Sequence, residues 1–183
     1  MNSLRIANAN LVDPETQTVK FGSLTINNGR ISGADTADTL LDAEGQYLAP
    51  GIVDIGVKVC EPGERHKESF RSAGLAAAAG GVTTLVARPD TKPSVDSPET
   101  LEFASRRAQA ACIVHSYQMA ALTKGRLGRE MTEIGFLQDA GAIAFTDCDA
   151  VTTDNKVFSR ALTYASQLGA LIIGHPQDPS LSK

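Results

Sequence analysis

From about residue 50 onward the sequence alternates short apolar runs with stretches of helical character, and this rhythm limits the fold more than any other feature. The apolar runs are Ile52 to Val57, Thr83 to Ala87, Ile113 to Tyr117, Ala142 to Phe145 and Leu171 to Gly174, with helices expected near residues 67–79, 98–111, 130–139 and 156–168. Strands separated by helix-length connections are not hairpins; they read as βα repeats feeding a parallel sheet. Ser97-Pro98-Glu99 has the form of an N-cap followed by proline at the first helical position, and Asp154 is placed to cap the last helix. Gly80-Gly81 invites a phosphate-loop reading, but no glycine-rich strand-to-helix fingerprint surrounds it, and a helix stop before the second strand is the simpler account.

Residues 1–48 have a different character. Short strands are expected at Leu4 to Leu11, Gly22 to Ile26, Arg30 to Ser32, Thr39 to Asp42 and Gln46 to Leu48, with Asn27-Asn28-Gly29 as a hairpin turn. The chain therefore divides into a small β segment, 1–48, and a βα segment, 49–183. Five strands and four helices do not close an eight-stranded barrel, which takes about 250 residues. Two architectures fit: a smaller open α/β sheet, or the first five units of a (β/α)8 barrel.

Composition narrows the function. A formal net charge of -4 without blocks of like charge leaves no footprint for nucleic acid or an acidic membrane, so small molecules or protein partners are expected. Cys60, Cys112 and Cys148 are too few and too scattered for a disulfide framework, and no cationic, apolar leader opens the sequence. Cytoplasmic localisation is expected. The apolar stretch from Gly74 to Ala87 is too short and too rich in small residues for a transmembrane helix.

The segment Ala49-Pro50-Gly51-Ile52-Val53-Asp54-Ile55-Gly56-Val57-Lys58 has the frame of the first barrel strand of a metal-dependent hydrolase. In such a frame two histidines at i and i+2 point to one face and reach one metal ion. Here those two positions hold Gly56, which brings no ligand atom, and Lys58, which is an ammonium at neutral pH. The ordinary metal pair is absent.

Further blocks carry a resemblance. They are Glu61-Pro62-Gly63-Glu64, Lys67-Glu68-Ser69, Ala76 to Thr84, Arg88-Pro89-Asp90-Thr91-Lys92-Pro93, Ala121-Leu122-Thr123-Lys124-Gly125, Leu137 to Asp147 and Ala161 to Gly169. In this order and spacing the chain resembles the N-terminal part of a dihydroorotase, a cyclic amidohydrolase of pyrimidine biosynthesis. The resemblance implies a (β/α)8 barrel with a small β-sandwich built from both chain ends, and a reversible hydrolysis of dihydroorotate assisted by one or two zinc ions.

Carried over residue by residue, the resemblance implies an altered centre. The histidine pair falls on Gly56 and Lys58, and the arginine that grips the substrate carboxylate falls on Cys60. The asparagine of the strand-two block falls on Asp90, whose charge repels an acidic substrate. An acidic loop after the fourth strand corresponds to Phe145-Thr146-Asp147-Cys148-Asp149, with Asp147 as first choice for the ligand position. The fifth-strand block reads His175-Pro176-Gln177-Asp178, so His175 stands at a ligand position. The four replaced positions, Gly56, Lys58, Cys60 and Asp90, read as vestiges. No catalytic residue, metal or other cofactor is expected, and the candidates should a metal bind are Asp147, His175, Cys60 and Cys148.

Blander roles stand beside the sharper ones. His175 is either a metal ligand or a hydrogen-bonding residue at a strand end. Lys58 is either a base with a lowered pKa or an ammonium in the emptied metal space, paired with Asp147 or Asp54. Cys60 and Cys148 with His175 form either a soft-metal cluster or a pair of small neutral fillers beside a polar residue. His66 and His115 fall outside the ligand blocks. Two functions follow. In one the chain is a catalytically inactive dihydroorotase homologue with a structural role, a scaffold for aspartate transcarbamoylase and part of a homo- or hetero-oligomer, as the resemblance implies. In the other it is a zinc-dependent dihydroorotase, or a hydantoinase- or allantoinase-type amidohydrolase, with an altered metal site.

Overall fold

The computed structural model describes residues 3–177 and 181, and the chain divides into two compact units, Met1–Gly51 and Ile52–Lys183. No helix among the described residues is long and apolar enough to cross a membrane.

The first unit is one five-stranded sheet. Its strands are β1 (Ser3–Asp13), β2 (Thr18–Asn27), β3 (Arg30–Ser32), β4 (Thr39–Asp42) and β5 (Tyr47–Leu48). The order is β3-β2-β1-β4, and β5 also pairs with β1. The hairpins are antiparallel, whereas β4 and β5 run parallel to β1. Asn28 and Gly29 join β2 to β3 with φ of 51° and 74°, the positive pair that a tight hairpin turn requires. A sandwich would need a second sheet packed on this one. The described residues of this unit form a single sheet, with Ala9 and Thr25 buried and Phe21, Ile31, Leu40 and Tyr47 exposed.

The second unit alternates strand and helix. It runs β6 (Ile52–Val57), α1 (Phe70–Ala79), β7 (Val82–Ala87), α2 (Pro98–Ala111), β8 (His115–Ala120), α3 (Ile134–Asp139), β9 (Ala142–Phe145) and α4 (Asn155–Leu168). All pairings in the sheet β6-β7-β8-β9 are parallel. This is the arrangement that strands joined through helices must take.

Local chemistry fixes the helix ends. Ser69 and Ser72 form a reciprocal capping box at α1, Ser97 and Thr100 form another at α2 with Pro98 in the first turn, and the Asp154 carboxylate accepts from Lys156 N and Val157 N at α4. Gly80 ends α1, and Gly169 ends α4 in the left-handed region at φ 65°. Leu101, Ala104 and Ala108 recur at helical spacing and bury one face of α2. With Phe70, Leu85, Phe145, Ile134 and Leu137 they fill the layer between helices and sheet. Each such large side chain contributes about 1.5–3 kcal/mol by leaving water. On the opposite sheet face Val86, Met119 and Ala144 form a second cluster, joined by Ile173. The strands are thus apolar on both faces, as parallel strands are.

Several elements differ from the sequence reading: β2 begins at Thr18 instead of Gly22 and α1 at Phe70 instead of residue 67, and three further differences have a visible cause. The β8 strand begins at His115 instead of Ile113 and continues to Ala120, because its ladder is set by Thr84 on one side and by Ala142 and Phe145 on the other. The helix expected from residue 130 begins at Ile134, because Lys124 N donates to Glu130 O and Thr132 N to Leu122 O, tying 130–132 back to the preceding loop. Leu171 to Gly174 is not a strand but a single parallel bridge, Phe145 with Ile172, made by Phe145 N to Leu171 O and Ile173 N to Phe145 O. Pro176 has no N–H with which to extend that ladder.

Among the helix glycines of this unit, Gly74 has the least room for a side chain. A Cβ there would meet Cys112 Sγ at 2.8 Å and Ile113 N at 3.0 Å. In an open helix glycine to alanine stabilises by about 0.5–1 kcal/mol, but overpacking costs about 1–3 kcal/mol. Gly74→Ala is therefore expected to lower the urea midpoint; a raised midpoint would mean that this contact relaxes freely.

Candidate functional site

Parallel strands end on one edge, so the segments following β6, β7, β8 and β9 gather there. They bring Gly56, Lys58, Arg88, Asp90, Asp147, Cys148, Asp149 and His175 to the same end of the sheet. A cavity of about 250 Å³ opens among Ile55, Gly56, Arg88, Met119, Cys148 and Asp149, with Thr146, Ile173, Gly174 and His175 completing its wall. A neighbouring one of about 220 Å³ lies by Asp147, Thr152 and His175.

Gly56 sits at φ +105°, where the pairing of β6 with β7 shifts register between Ile55 and Val57. Its Cβ direction is open space, so the backbone angle and not crowding makes glycine fit. A histidine at this position would be strained. The i, i+2 geometry that delivers two side chains to one metal holds only in a regular strand, and it is interrupted here.

Lys58 follows the strand and points its Nζ to Asp90 Oδ2 at 3.0 Å. This corrects the expected pairing with Asp147 or Asp54: Asp90, at the end of the adjacent strand, is the nearer carboxylate, and Asp147 is engaged elsewhere. The Asp90 side chain is 3% exposed and shares the same oxygen with Arg88 Nη2 at 3.0 Å, while Arg88 Nη2 also holds Asp149 Oδ2 at 2.7 Å. The hydrogen bond and charge of Asp90 raise the Lys58 pKa above the ordinary lysine value. Lys58 is thus a fixed ammonium and not a base. Within this chain of charges two buried atoms, Asp90 Oδ1 and Arg88 Nε, have no hydrogen-bond partner, which marks the cluster as poorly stabilising for its burial.

Asp147 is 5% exposed and committed to its loop. Its Oδ1 accepts from Thr123 N at 3.0 Å, and its Oδ2 accepts from Thr123 Oγ1 at 2.6 Å and Thr152 Oγ1 at 3.2 Å. Thr123 Oγ1 in turn accepts from Gly128 N at 2.9 Å. The carboxylate braces the segment after β8 and does not stand open as a ligand.

Cys148 lies beside Arg88 and Asp90 at φ 57°, its N–H donating to Thr146 Oγ1 at 3.0 Å. Burial, followed by the charge of Asp90, raises the thiol pKa above its usual value against the pull of Arg88. A thiol held protonated is a poor nucleophile. Cys60 is a half-buried free cysteine after β6. His175 is exposed, with Nε2 2.8 Å from Gln177 Oε1. Asp178 lies outside the described residues. His66 is exposed in a turn, and His115 is exposed at the start of β8, the other end of that strand from the site.

Among the described residues no three His, Cys, Asp or Glu side chains are arranged to hold a metal ion. The donor set does not fit zinc: Gly56 offers nothing, Lys58 brings a positive charge, and Asp147 already accepts three hydrogen bonds.

Two residues escaped the sequence reading. Arg88 links the two acidic groups of the site, and an arginine next to a Pro-Asp turn at a strand end was the available signal. Glu61, 4% exposed, accepts from Arg107 Nε at 2.8 Å and from Phe70 N at 3.2 Å, anchoring the loop after β6 to α2 and the start of α1.

Several solved structures similar to this chain are hydantoinases. The L-hydantoinase (dihydropyrimidinase) from Arthrobacter aurescens superposes with a TM-score of 0.84 over 98% of this chain and 42% of its own, at 21% identity. The D-hydantoinase from Bacillus sp. AR9 does so with 0.76 over 97% and 40%, at 18% identity. At those identities the likeness is one of fold: a mixed α/β fold similar to the N-terminal region of these enzymes. The Dihydro-orotase-like family model matches residues 45–183, and the chain belongs to that family. It is 37% identical over 179 residues to the dihydroorotase of Syntrophus aciditrophicus (strain SB), covering 94% of this chain and 42% of that protein. It is 34% identical over 187 residues to a dihydroorotase-like protein of Pseudomonas putida, covering 99% of this chain and 44% of that one. The chain spans less than half the length of these relatives.

Two outcomes check the geometry. Replacing Lys58 by Met leaves the buried Asp90 with Arg88 alone and is expected to lower stability by about 1–3 kcal/mol, measured by urea denaturation. The Cys148 thiol is expected to titrate above an unperturbed cysteine because of its burial, so its alkylation rate against pH, followed by peptide mass spectrometry, has a midpoint beyond that of an unfolded cysteine. The sign for stability follows: above the unfolded value the native state keeps a proton that the unfolded chain has lost, so stability falls as pH rises toward the folded pKa.

Proposed function

We propose that this chain forms the first part of a dihydroorotase-type (β/α)8 barrel, with residues 1–48 contributing to a composite β-sandwich, and that the centre does not hydrolyse dihydroorotate. One observation carries the reading: the ammonium of Lys58, held on buried Asp90 and preceded by Gly56 at φ +105°, stands where the resemblance implies two metal-binding histidines. Metal activation of water requires an open, correctly charged donor set. Positioning of metal, water and substrate together supplies several orders of magnitude in rate, and that is lost when the set is replaced.

The role left for such a barrel is structural, in the cytoplasm and within pyrimidine biosynthesis, with aspartate transcarbamoylase as the expected partner. Support for a covering surface comes from β6, the sheet edge, where Ile52, Val53 and Ile55 are each more than half exposed. Edges of this kind are covered by further strands or by another chain.

A second reading, a zinc-dependent cyclic amidohydrolase with a changed site, draws on one observation: His175, Cys148 and Asp149 line the same cavity. The complete protein carrying this chain separates the two. We expect no turnover of dihydroorotate above the uncatalysed rate with added zinc, substoichiometric zinc after purification without chelators, and copurification with aspartate transcarbamoylase. Zinc-dependent turnover would establish the second reading instead, and purification without the transcarbamoylase would remove the scaffold role.

A further inference from the structure

The groove between α3 and α4 carries an apolar strip with charges of opposite sign on its two sides. Ile134 and Leu137 of α3 and Ala161 and Ala165 of α4 seat both helices in the same core. That seating turns Phe136 outward at 67% exposure, with Tyr164 at 37% and Leu168 at 38% beside it. The helices are tied at one end by Gln138 Nε2 donating to Leu168 O at 3.4 Å. Two hollows meet at Tyr164: one of about 240 Å³ takes in Glu133, Phe136 and Asp139, and one of about 420 Å³ takes in Met131 and Arg160. The α3 helix with its N-cap carries Glu133 and Asp139 and no base, whereas α4 carries Lys156 and Arg160 and no acid. Among the described residues none of these four charges makes an ion pair within the chain. Aromatic side chains ringed by unpaired charge have the make-up of an interface core and its rim.

We propose that this groove is an isologous contact between two copies of the protein, in which Asp139 of one copy pairs with Arg160 of the other. Register carries the argument. Both helices return from the same edge of a parallel sheet, so they run in the same direction. They are level where the Tyr164 hydroxyl lies over Gly135, 3.3 Å from where a Cβ would stand. Arg160 comes one turn before Tyr164 and Asp139 one turn after Gly135, so each lies about 6 Å from that level, in opposite directions. A two-fold axis through this level, normal to the groove, lays α4 of one copy antiparallel on α3 of the other. It then brings Arg160 over Asp139 twice and stacks Phe136 of each copy near Tyr164 of its neighbour. A face that offers both signs at equal distances from one axis is complementary to itself, which is what closed two-fold pairing requires. A partner bearing one sign of charge would oppose one wall of the groove. None of these residues belongs to the cluster at the strand ends. The contact therefore stands whether or not the centre is active and whether or not a transcarbamoylase binds.

Sedimentation equilibrium of the complete protein carrying this chain, after removal of any copurifying protein, is expected to show self-association with a dissociation constant of micromolar order or tighter. Asp139→Arg and Arg160→Asp each set like charges opposite one another twice per dimer and are expected to weaken association by about tenfold or more. Combining the two restores the pair with its signs exchanged, and association returns to within about threefold of the parent. Phe136→Glu, at an exposed position, is expected to abolish the contact with the urea midpoint and circular dichroism of the parent retained. A complete protein that stays monomeric would overturn the proposal, as would self-association unmoved by Phe136→Glu and by both charge reversals. A double variant no better than the single ones would overturn the Asp139–Arg160 register. Loss of a different copurifying protein in Phe136→Glu, with self-association intact, would reassign the groove to that protein.

Discussion

The buried carboxylate of Asp90 is the constraint around which the strand ends are organised. A carboxylate removed from water must find cations or give up its charge. Here it finds two, one on each of two adjacent strand ends: Lys58 after β6 and Arg88 at the close of β7. Arg88 then reaches the loop after β9 through Asp149. The segment after β8 is held separately, by Asp147 and its threonine partners. Each of the four strands thus has its following segment fixed by a carboxylate or by a partner of one.

On the proposed reading, the arrangement accounts for a metal-hydrolase frame kept without metal-binding chemistry. A divalent ion at the head of a parallel sheet neutralises acidic groups and ties strand ends together. The Lys58–Asp90–Arg88–Asp149 chain performs both of those mechanical tasks with side chains alone. It does not supply a Lewis acid, and Cys148, held as a thiol, does not supply a nucleophile. The family match places the chain among Dihydro-orotase-like proteins, and its fold is similar to the N-terminal region of hydantoinases.

Much of this was legible in the residues. Ile52–Val57, Ala142–Phe145, Arg30–Ser32 and Thr39–Asp42 are strands with the expected bounds, and Ser97 with Pro98 opens a helix as its capping pattern implied. These depend on local chemistry: β-branched runs, caps and glycine turns. What stayed hidden depends on partners far along the chain. The late start of α3 follows from a backbone bond between Lys124 and Glu130, and the shift of β8 follows from ladders with β7 and β9. At the site, opposite charges at neighbouring strand ends announced that Lys58 would find an acid. Which acid was settled by adjacency of β6 and β7, and that is a property of the sheet.

Gly56 gives positions 56 and 58 a shared fate. Its left-handed backbone interrupts the ladder and leads the chain into Lys58, whose ammonium then reaches Asp90. Any side chain at 56 favours a return to the ordinary extended conformation, and that rotation would re-aim residue 58 as well. The two positions form one conformational unit, so a substitution at either is judged against the backbone state that the other requires. A strand end built in this way is reached or left by paired changes, and single replacements meet a barrier in the main chain before any question of chemistry arises.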